Sequence, residues 1–102
     1  MIRFEWDIAK DRTNQRKHGI GFEIARHVFE DPDALVEQDR IESGELRWQA
    51  IGMIDGALLL LVAHTVAFGD DEADETIRII SARRASRRER RRYEEEHQKN
   101  YS

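Results

Sequence analysis

Hydrophobic and polar positions alternate in the first residues of the chain. An isoleucine, a phenylalanine and a tryptophan fall on one side of residues 2–6, with charged residues between them. This two-residue period predicts a short β-strand. Residues 34–38 predict a second strand, and residues 76–82, rich in β-branched side chains, predict the last one.

The polar segment after the first strand predicts a helix over residues 7–18. Asp7 is a favourable N-terminal cap, and Gly19 ends the helix. A second short helix is predicted from Gly21, because its apolar residues recur at helical spacing. It ends at residues 31–33, where a proline interrupts the pattern.

The strongest structural signal is a hairpin in the middle of the chain. Asp55 and Gly56 favour a type I′ turn, in which both central residues need positive φ. Mostly apolar segments at 46–54 and 57–67 flank this pair and predict two antiparallel strands. Residues 41–44 predict a turn before the hairpin.

A two-residue turn determines which residues of the two strands lie opposite each other. It places Arg47 opposite His64 and Trp48 opposite Ala63. A hairpin between the last two strands then places Arg78 on the other side of His64, so that an imidazole lies between two guanidinium groups. Five apolar residues of the central hairpin are expected to face the core together: Trp48, Ala50, Ile54, Leu59 and Leu61.

The C-terminal segment predicts an arginine-rich helix. Ser86 and Glu89 have the spacing of a capping box, so this helix begins there and runs to about residue 99. The elements run β-α-α-β-β-β-β-α, which predicts an α+β fold with a mostly antiparallel sheet, two N-terminal helices and the C-terminal helix. Four large aromatic residues are expected in the core: Trp6, Phe22, Phe29 and Trp48.

The composition restricts the class of protein. With 102 residues the chain is long enough for one domain spanning 1–102, and with no cysteine it has no disulfide and no thiolate metal site. The longest apolar run, residues 57–63, is too short to span a membrane, and no targeting leader opens the sequence. A cytoplasmic protein is therefore expected.

Charge is unevenly distributed along the chain. Residues 82–102 carry eight basic and four acidic side chains, whereas residues 28–77 carry two basic and 13 acidic ones. A protein polarised in this way can bind a polyanion on its basic surface although its net charge is −4. A solvated surface of ion pairs is the alternative explanation.

Three separated blocks carry a resemblance to a known family. They are FEWDIAKDRTNQRKHG from Phe4, GELRWQAIG from Gly44, and IRIISARRASRRERRRYEE from Ile77. In order and spacing they resemble the BrnT family of toxins from bacterial type II toxin–antitoxin systems. The resemblance covers nearly the whole chain, from Phe4 to about Glu95.

The resemblance implies a RelE-like fold and a ribonuclease activity that stops translation and growth. It also implies a cognate antitoxin of the BrnA type. Toxin and antitoxin would form a heteromer, with a two-fold heterotetramer as one arrangement. Such a partner would hold the toxin inactive by covering its arginine-rich surface.

The residue types favour RNA cleavage without a metal ion or other cofactor. Such cleavage needs a base for the 2′-hydroxyl proton, a cation for the charge on the phosphorane, and an acid for the departing 5′-oxygen. A metal-dependent nuclease would need clustered carboxylates. The densest acidic cluster, residues 70–75, falls instead in the predicted tip of a hairpin.

Arginine is unusual inside strands, so Arg47 and Arg78 are the strongest candidates for contacts to the scissile phosphate. The alternative is a cross-strand ion pair with Glu37 or Glu45. His64 is a candidate acid or base whose pKa two flanking arginines would lower; its alternative role is a buried structural histidine. Glu45 is the rival base.

Lys17 and His18 are candidates for a second cation and a second acid or base, although cations are favoured at helix C-termini in any protein. Tyr93 either stacks a base of bound RNA or docks its own helix. Four arginines are expected to contact the RNA backbone or the antitoxin: Arg83, Arg84, Arg87 and Arg88. The competing function is a non-catalytic nucleic-acid- or protein-binding module on the same fold.

Overall fold

A single five-stranded sheet organises the molecule, and the computed structural model describes residues 1–71 and 73–99. The strands are β1 (Ile2–Trp6), β2 (Leu35–Glu42), β3 (Glu45–Ile54), β4 (Leu58–Phe68) and β5 (Glu75–Arg84). Their spatial order is β1-β5-β4-β3-β2, with β1 parallel to β5 and the other neighbours antiparallel. The mostly antiparallel α+β fold is therefore confirmed.

Helices follow β1 and β5, in the predicted order. They are α1 (Ile8–His18), α2 (Phe22–Ala25), a 3₁₀ helix (Arg26–Glu30) and α3 (Arg87–Lys99). Asp7 caps α1 by accepting a hydrogen bond from the Lys10 amide, and Gly19 ends it at a φ of 69°. The second predicted helix is present as α2 and the 3₁₀ helix together.

The prediction for the segment before the central hairpin is wrong in its bounds. β2 continues to Glu42, beyond the predicted end at residue 38, and Glu42 is the register partner of Glu45. The turn consists of Ser43 and Gly44, which both have positive φ, 53° and 78°. A tight two-residue turn of this kind allows pairing to continue to its edges, so the strand is longer than its polar sequence suggests.

The sheet has two covered faces. On the face that we call the α2 face, Ala50, Leu60 and Val62 pack with Phe22 and Val28. On the opposite face, which we call the α3 face, three apolar residues pack with Tyr93 of α3. These residues are Ile51, Leu59 and Leu61.

The register between β3 and β4 differs from the prediction by one residue. Trp48 pairs with His64, and Ile54 pairs with Leu58. Asp55 and Gly56 have positive φ as predicted, 52° and 67°. The amide of Ala57 donates to the carbonyl of Ile54 and closes the turn. Ala57 has no partner in the β3–β4 ladder, so the residues of β4 are displaced by one position from the predicted register.

This shift changes which side chains share a face, because neighbouring residues of a strand point in opposite directions. Leu59 and Leu61 lie on the α3 face, not with Trp48 and Ala50 on the α2 face. Arg47 is not opposite His64. The apolar run of β4 offers no alternation that would have selected one register over the other.

The register between β4 and β5 was also predicted wrongly. Arg78 pairs with Thr65, and His64 pairs with Ile79. The ladder shifts between Ala63 and His64, where β5 has one extra residue. The predicted row of Arg47, His64 and Arg78 is therefore not formed.

Gly52 is the point of closest approach between the 3₁₀ helix and the sheet. A Cβ at this position would lie 2.7 Å from Cγ1 of Val28 and 3.0 Å from its carbonyl oxygen. Only glycine leaves room for this packing, which closes the turn end of the α2 face.

Asn14 connects α1 to the sheet where β1 no longer pairs with β5. Its buried side-chain amide donates to the carbonyls of Ala82 and Ile20, and its oxygen accepts from the Ala82 amide. One side chain thus satisfies both backbone hydrogen-bonding groups of Ala82, at a strand edge that β1 does not pair with. No helix in residues 1–71 and 73–99 is long and apolar enough to cross a membrane.

Candidate functional site

The candidate site is the part of the α3 face that lies beyond the packing contacts of α3 in the described part of the chain. α3 packs over the turn end of β3 and β4, above Ile51 and Leu61. Further along the strands, a row of polar side chains crosses the sheet. It contains, from β3 to β1, Arg47, Thr65, Arg78 and Glu5.

The strand registers determine this row. Thr65 pairs with Arg78, and Arg78 pairs with Glu5 across the parallel β5–β1 ladder. Arg47 precedes Trp48, the partner of His64, so the same register places Arg47 level with Thr65. Adjacent strands are about 4.8 Å apart, which separates the backbones of the two arginines by about 10 Å. Two arginine side chains can reach one anion from that distance.

Arg47 is held in place by a carboxylate. Its Nη1 lies 3.0 Å from Oε2 of Glu42, the same oxygen that Arg40 contacts at 3.2 Å. The side chain of Arg47 is 22% exposed. The predicted ion-pair partners were Glu37 and Glu45, but the partner is Glu42.

One nitrogen of Arg47 has no partner in the described part of the chain. Its Nε is buried there and makes no hydrogen bond. A buried donor without an acceptor costs free energy, so a ligand that supplies an acceptor at this nitrogen would be favoured. An anion bound at the row would supply one.

His64 lies on the other face of the sheet from this row. It is 1% exposed, and its ring meets the ring of Phe29 edge-on at 4.8 Å. Its Nδ1 lies 3.2 Å from the carbonyl oxygen of Val62. Burial lowers the pKa of His64, and the hydrogen bond to Val62 opposes this effect. The predicted direction is confirmed, but its cause is burial and not two arginines.

Glu45 begins β3 two residues before Arg47, so strand alternation places its side chain on the face of the row, opposite its register partner Glu42. It also lines a cavity together with Trp48 and His64. Of the two predicted rivals for the base, Glu45 therefore shares the face of Arg47, and His64 does not.

Lys17 and His18 line a groove between α1 and β5. This cavity of about 340 Å³ also contains Lys10, Thr13 and Ser81. Ser81 pairs with Ala63, one row closer to α3 than the arginine row. Both predicted residues are exposed there, at the β5 side of the candidate site.

The arginines near the start of α3 have different environments. Arg83 makes a two-pronged ion pair with Glu89 at 2.7 and 2.9 Å. The hydrogen bond from Arg83 lowers the pKa of Glu89 to about 2 and raises the pKa of Arg83 itself. Three other predicted contacts are exposed: Arg84, Arg87 and Arg88.

The capping box of α3 is confirmed. The Ser86 amide donates to Oε1 of Glu89, and the Glu89 amide donates to Oγ of Ser86. Glu89 thus caps the helix and binds Arg83 with the same carboxylate.

Tyr93 docks α3, which is one of its two predicted roles. The side chain is buried against Ile51 and Leu61, and its hydroxyl donates to Oδ2 of Asp31 at 2.7 Å. The same oxygen accepts from the Met53 amide. Burial, followed by the contact with Asp31, raises the pKa of Tyr93.

Sequence reasoning missed two members of the row, Glu5 and Thr65. The alternation in β1 indicated that Glu5 points away from the apolar residues. The parallel pairing of β1 with β5, which sets Glu5 beside Arg78, has no local signal. Among the described residues, no three His, Cys, Asp or Glu side chains are grouped so that they could hold a metal ion.

Comparisons with known proteins agree with this architecture. A family model described as the ribonuclease toxin BrnT of type II toxin–antitoxin systems matches residues 6–89. The 1.1 Å crystal structure of the Brucella abortus ribonuclease toxin BrnT is similar, with a TM-score of 0.63 and 26% sequence identity. That match covers 85% of this chain and 100% of the other. A search of curated proteins finds no match.

Proposed function

Because the chain belongs to the BrnT family of ribonuclease toxins from type II toxin–antitoxin systems, we propose that it is a metal-independent endoribonuclease. Its cleavage of RNA would inhibit translation and growth. Membership of a type II family implies an antitoxin partner.

The observation that carries the proposal is the pair of arginines in one row on the α3 face, where Arg78 is exposed, Arg47 is 22% exposed and Thr65 between them is buried. Arg47 and Arg78 flank Thr65, and the buried Nε of Arg47 has no acceptor within the described residues. A scissile phosphodiester between these guanidinium groups would gain two cationic contacts. These contacts become stronger as negative charge develops on the phosphorane.

Glu5 is the proposed general base. It is exposed beside Arg78, its register partner, and its carboxylate would take the proton of the 2′-hydroxyl. The 2′-oxygen then attacks phosphorus, the bond to the 5′-oxygen breaks, and the products are a 2′,3′-cyclic phosphate and a 5′-hydroxyl. Glu45 is the less favoured base, because β4 separates its strand from that of Arg78, whereas Glu5 is the register partner of Arg78.

His18 is the proposed general acid for the departing 5′-oxygen. It is exposed in the groove along β5, where Lys17 would hold a neighbouring phosphate. The arginines at the start of α3 would bind RNA backbone without reading its bases, so binding should weaken as salt increases. These residues are Arg83, Arg84, Arg87 and Arg88.

Further parts of the proposal concern the whole protein. We place it as a single RelE-like toxin domain spanning residues 1–102 that acts in the cytoplasm. Its antitoxin would be of the BrnA type, and the two would form a heteromer, with a two-fold heterotetramer as one arrangement. The similarity to BrnT and the type II family support this assignment.

The test is induction of the chain in bacteria, with growth and cellular RNA followed together. Purified protein is then incubated with RNA in the presence and absence of EDTA. Growth arrest with RNA cleavage that persists in EDTA is expected. Arrest without cleavage would support a non-catalytic binding module, and cleavage abolished by EDTA would refute the metal-independent route.

The acid and base are tested by matched pairs of variants. Glu5→Gln should slow cleavage more than Glu45→Gln, and His18→Ala should slow it more than His27→Ala. His27 is a suitable control because it is a partly exposed histidine remote from the row, paired with Glu30. The opposite order in either pair would remove that residue from the mechanism.

A further inference from the structure

An apolar cavity opens on the α2 face, at the end that the 3₁₀ helix does not cover. It encloses about 490 Å³ and is walled by Phe29, Leu46, Trp48, His64 and Val66. None of the proposed catalytic steps uses it, because it lies on the opposite face from the arginine row. A cavity of this size with aromatic walls is typical of a binding site.

The mouth of the cavity is unusually apolar for a protein surface. Ile2, Val36 and Phe68 line it and are 52%, 49% and 65% exposed. They belong to three different strands, so the patch is continuous across the sheet and is not one isolated side chain. Contiguous exposed apolar residues with a polar rim mark protein interaction sites.

The rim of this patch is acidic. Glu45 and Glu75 line the cavity, Asp70 and Asp71 follow Phe68 in the β4–β5 connection, and Glu30 follows Phe29. Such a surface repels nucleic acid, and it is complementary to an apolar segment flanked by Lys or Arg. The occupant is therefore a protein rather than RNA.

We infer that this cavity is the binding site of the antitoxin, which inserts an apolar anchor residue from a segment flanked by basic side chains. The inference rests on the proposed function, because it takes the partner to be the type II antitoxin. From the cavity, a partner that crosses the edge strand β2 reaches Glu42 and its ion-pair partner Arg47, the first residue of the arginine row. One partner can thus hold the α2 face and block the α3 face.

The test is calorimetric titration of the purified full-length chain with the protein encoded by the reading frame beside its gene. The patch variant is Val36→Glu with Phe68→Glu. The control is Ile8→Glu with Ile24→Glu, two residues of α1 and α2 that are 65% and 51% exposed and outside the cavity. The patch variant should raise Kd by about 30-fold or more, and the control by less than about threefold.

Three outcomes would overturn the inference. The first is a Kd of the patch variant equal to that of the control. The second is a loss of binding only in Arg84→Glu with Arg88→Glu, which would place the antitoxin on the arginine-rich surface alone. The third is that the patch substitutions leave antitoxin binding unchanged and alter only the sedimentation of the chain measured without a partner. That result would make the patch a contact between copies of the chain.

The failure of this inference is separable from failure of the proposed function. RNA cleavage by the patch variant is measured in parallel and should equal that of wild type, because both substituted residues lie on the face opposite the arginine row. A wild-type chain that binds the antitoxin through the patch but does not cleave RNA would refute the ribonuclease proposal only.

Discussion

Beyond the helices that pack on them, the two faces of the sheet carry different side chains. On the α3 face the uncovered end carries Arg47 and Arg78 around Thr65, whereas on the α2 face it carries Trp48 and His64 around an apolar cavity. Members of the two sets are adjacent in the sequence: Trp48 follows Arg47, and His64 precedes Thr65. The comparison shows that strand register, rather than the presence of the right residue types, decides which side chains share a site.

The electrostatic character of the two ends differs in the same way. One has cationic side chains suited to a phosphodiester, and the other has an acidic rim suited to a basic protein segment. Because these two surfaces lie on opposite faces of the sheet, a small domain can present opposite charges to two partners. The net charge of −4 describes neither surface.

The largest expected effect comes from removing Arg47. We expect Arg47→Ala to slow RNA cleavage by about 10²–10³-fold, the usual cost of losing one group that stabilises transition-state charge. Arg40→Ala is the matched control, because Arg40 contacts the same oxygen of Glu42 but its side chain is 64% exposed at the edge strand. Equal losses in the two variants would show that Arg47 acts only through the ion pair.

Packing on the α2 face should depend on Gly52. Gly52→Ala brings a Cβ to 2.7 Å from Cγ1 of Val28, so the 3₁₀ helix must move, and we expect unfolding free energy to fall by about 1–3 kcal/mol. Urea denaturation measures this. Gly21→Ala is the control, because the atom nearest to its new Cβ would be the flexible end of Gln15, at 3.3 Å. A neutral Gly52→Ala would mean that the two elements are not closely packed.

Docking of α3 should depend on the hydroxyl of Tyr93. Tyr93→Phe removes its hydrogen bond to Asp31 and should cost about 1–2 kcal/mol at neutral pH. Because folding raises the pKa of Tyr93, this group contributes its stability in full below pH 10 and loses it as pH rises further. The difference between wild type and variant in urea denaturation should therefore shrink above pH 10. A constant difference would contradict the buried, neutral phenol.

The smallest effect is expected at His64. Burial lowers its pKa, so the neutral ring contributes stability in full above pH 6.5, and this contribution decreases as pH falls below that value. In His64→Gln this part of the pH dependence should disappear, which denaturation at pH 8 and pH 5 would measure. An unchanged dependence in the variant would show that other groups cause it.

Much of the fold could be predicted from local signals. The caps Asp7 and Gly19, the positive-φ pair Asp55-Gly56 and the capping box at Ser86 each act within a few residues, and each is confirmed. Signals of this kind need no knowledge of distant contacts. The order of elements followed from them.

The site could be predicted only in part, because it depends on pairing between strands. Arg47 and Arg78 were identified from their unusual residue type, but one extra residue at the β3–β4 turn pairs His64 with Trp48 and so places it on the other face. The β4–β5 hairpin, which pairs Phe68 with Glu75, likewise sets Arg78 opposite Thr65 and not opposite His64. Neither register has a signal in the apolar sequence of β4. Glu5 was missed because its position depends on the parallel partner of β1.

The most direct test compares the cleavage of one RNA substrate by Arg78→Ala and His64→Gln, with each rate corrected for the folded fraction. If the catalytic surface is the arginine row, Arg78→Ala should be about 100-fold slower than wild type or more, and His64→Gln should stay within about threefold. The reverse pattern, with His64→Gln inactive and Arg78→Ala near wild type, would place the chemistry on the α2 face and contradict the assignment.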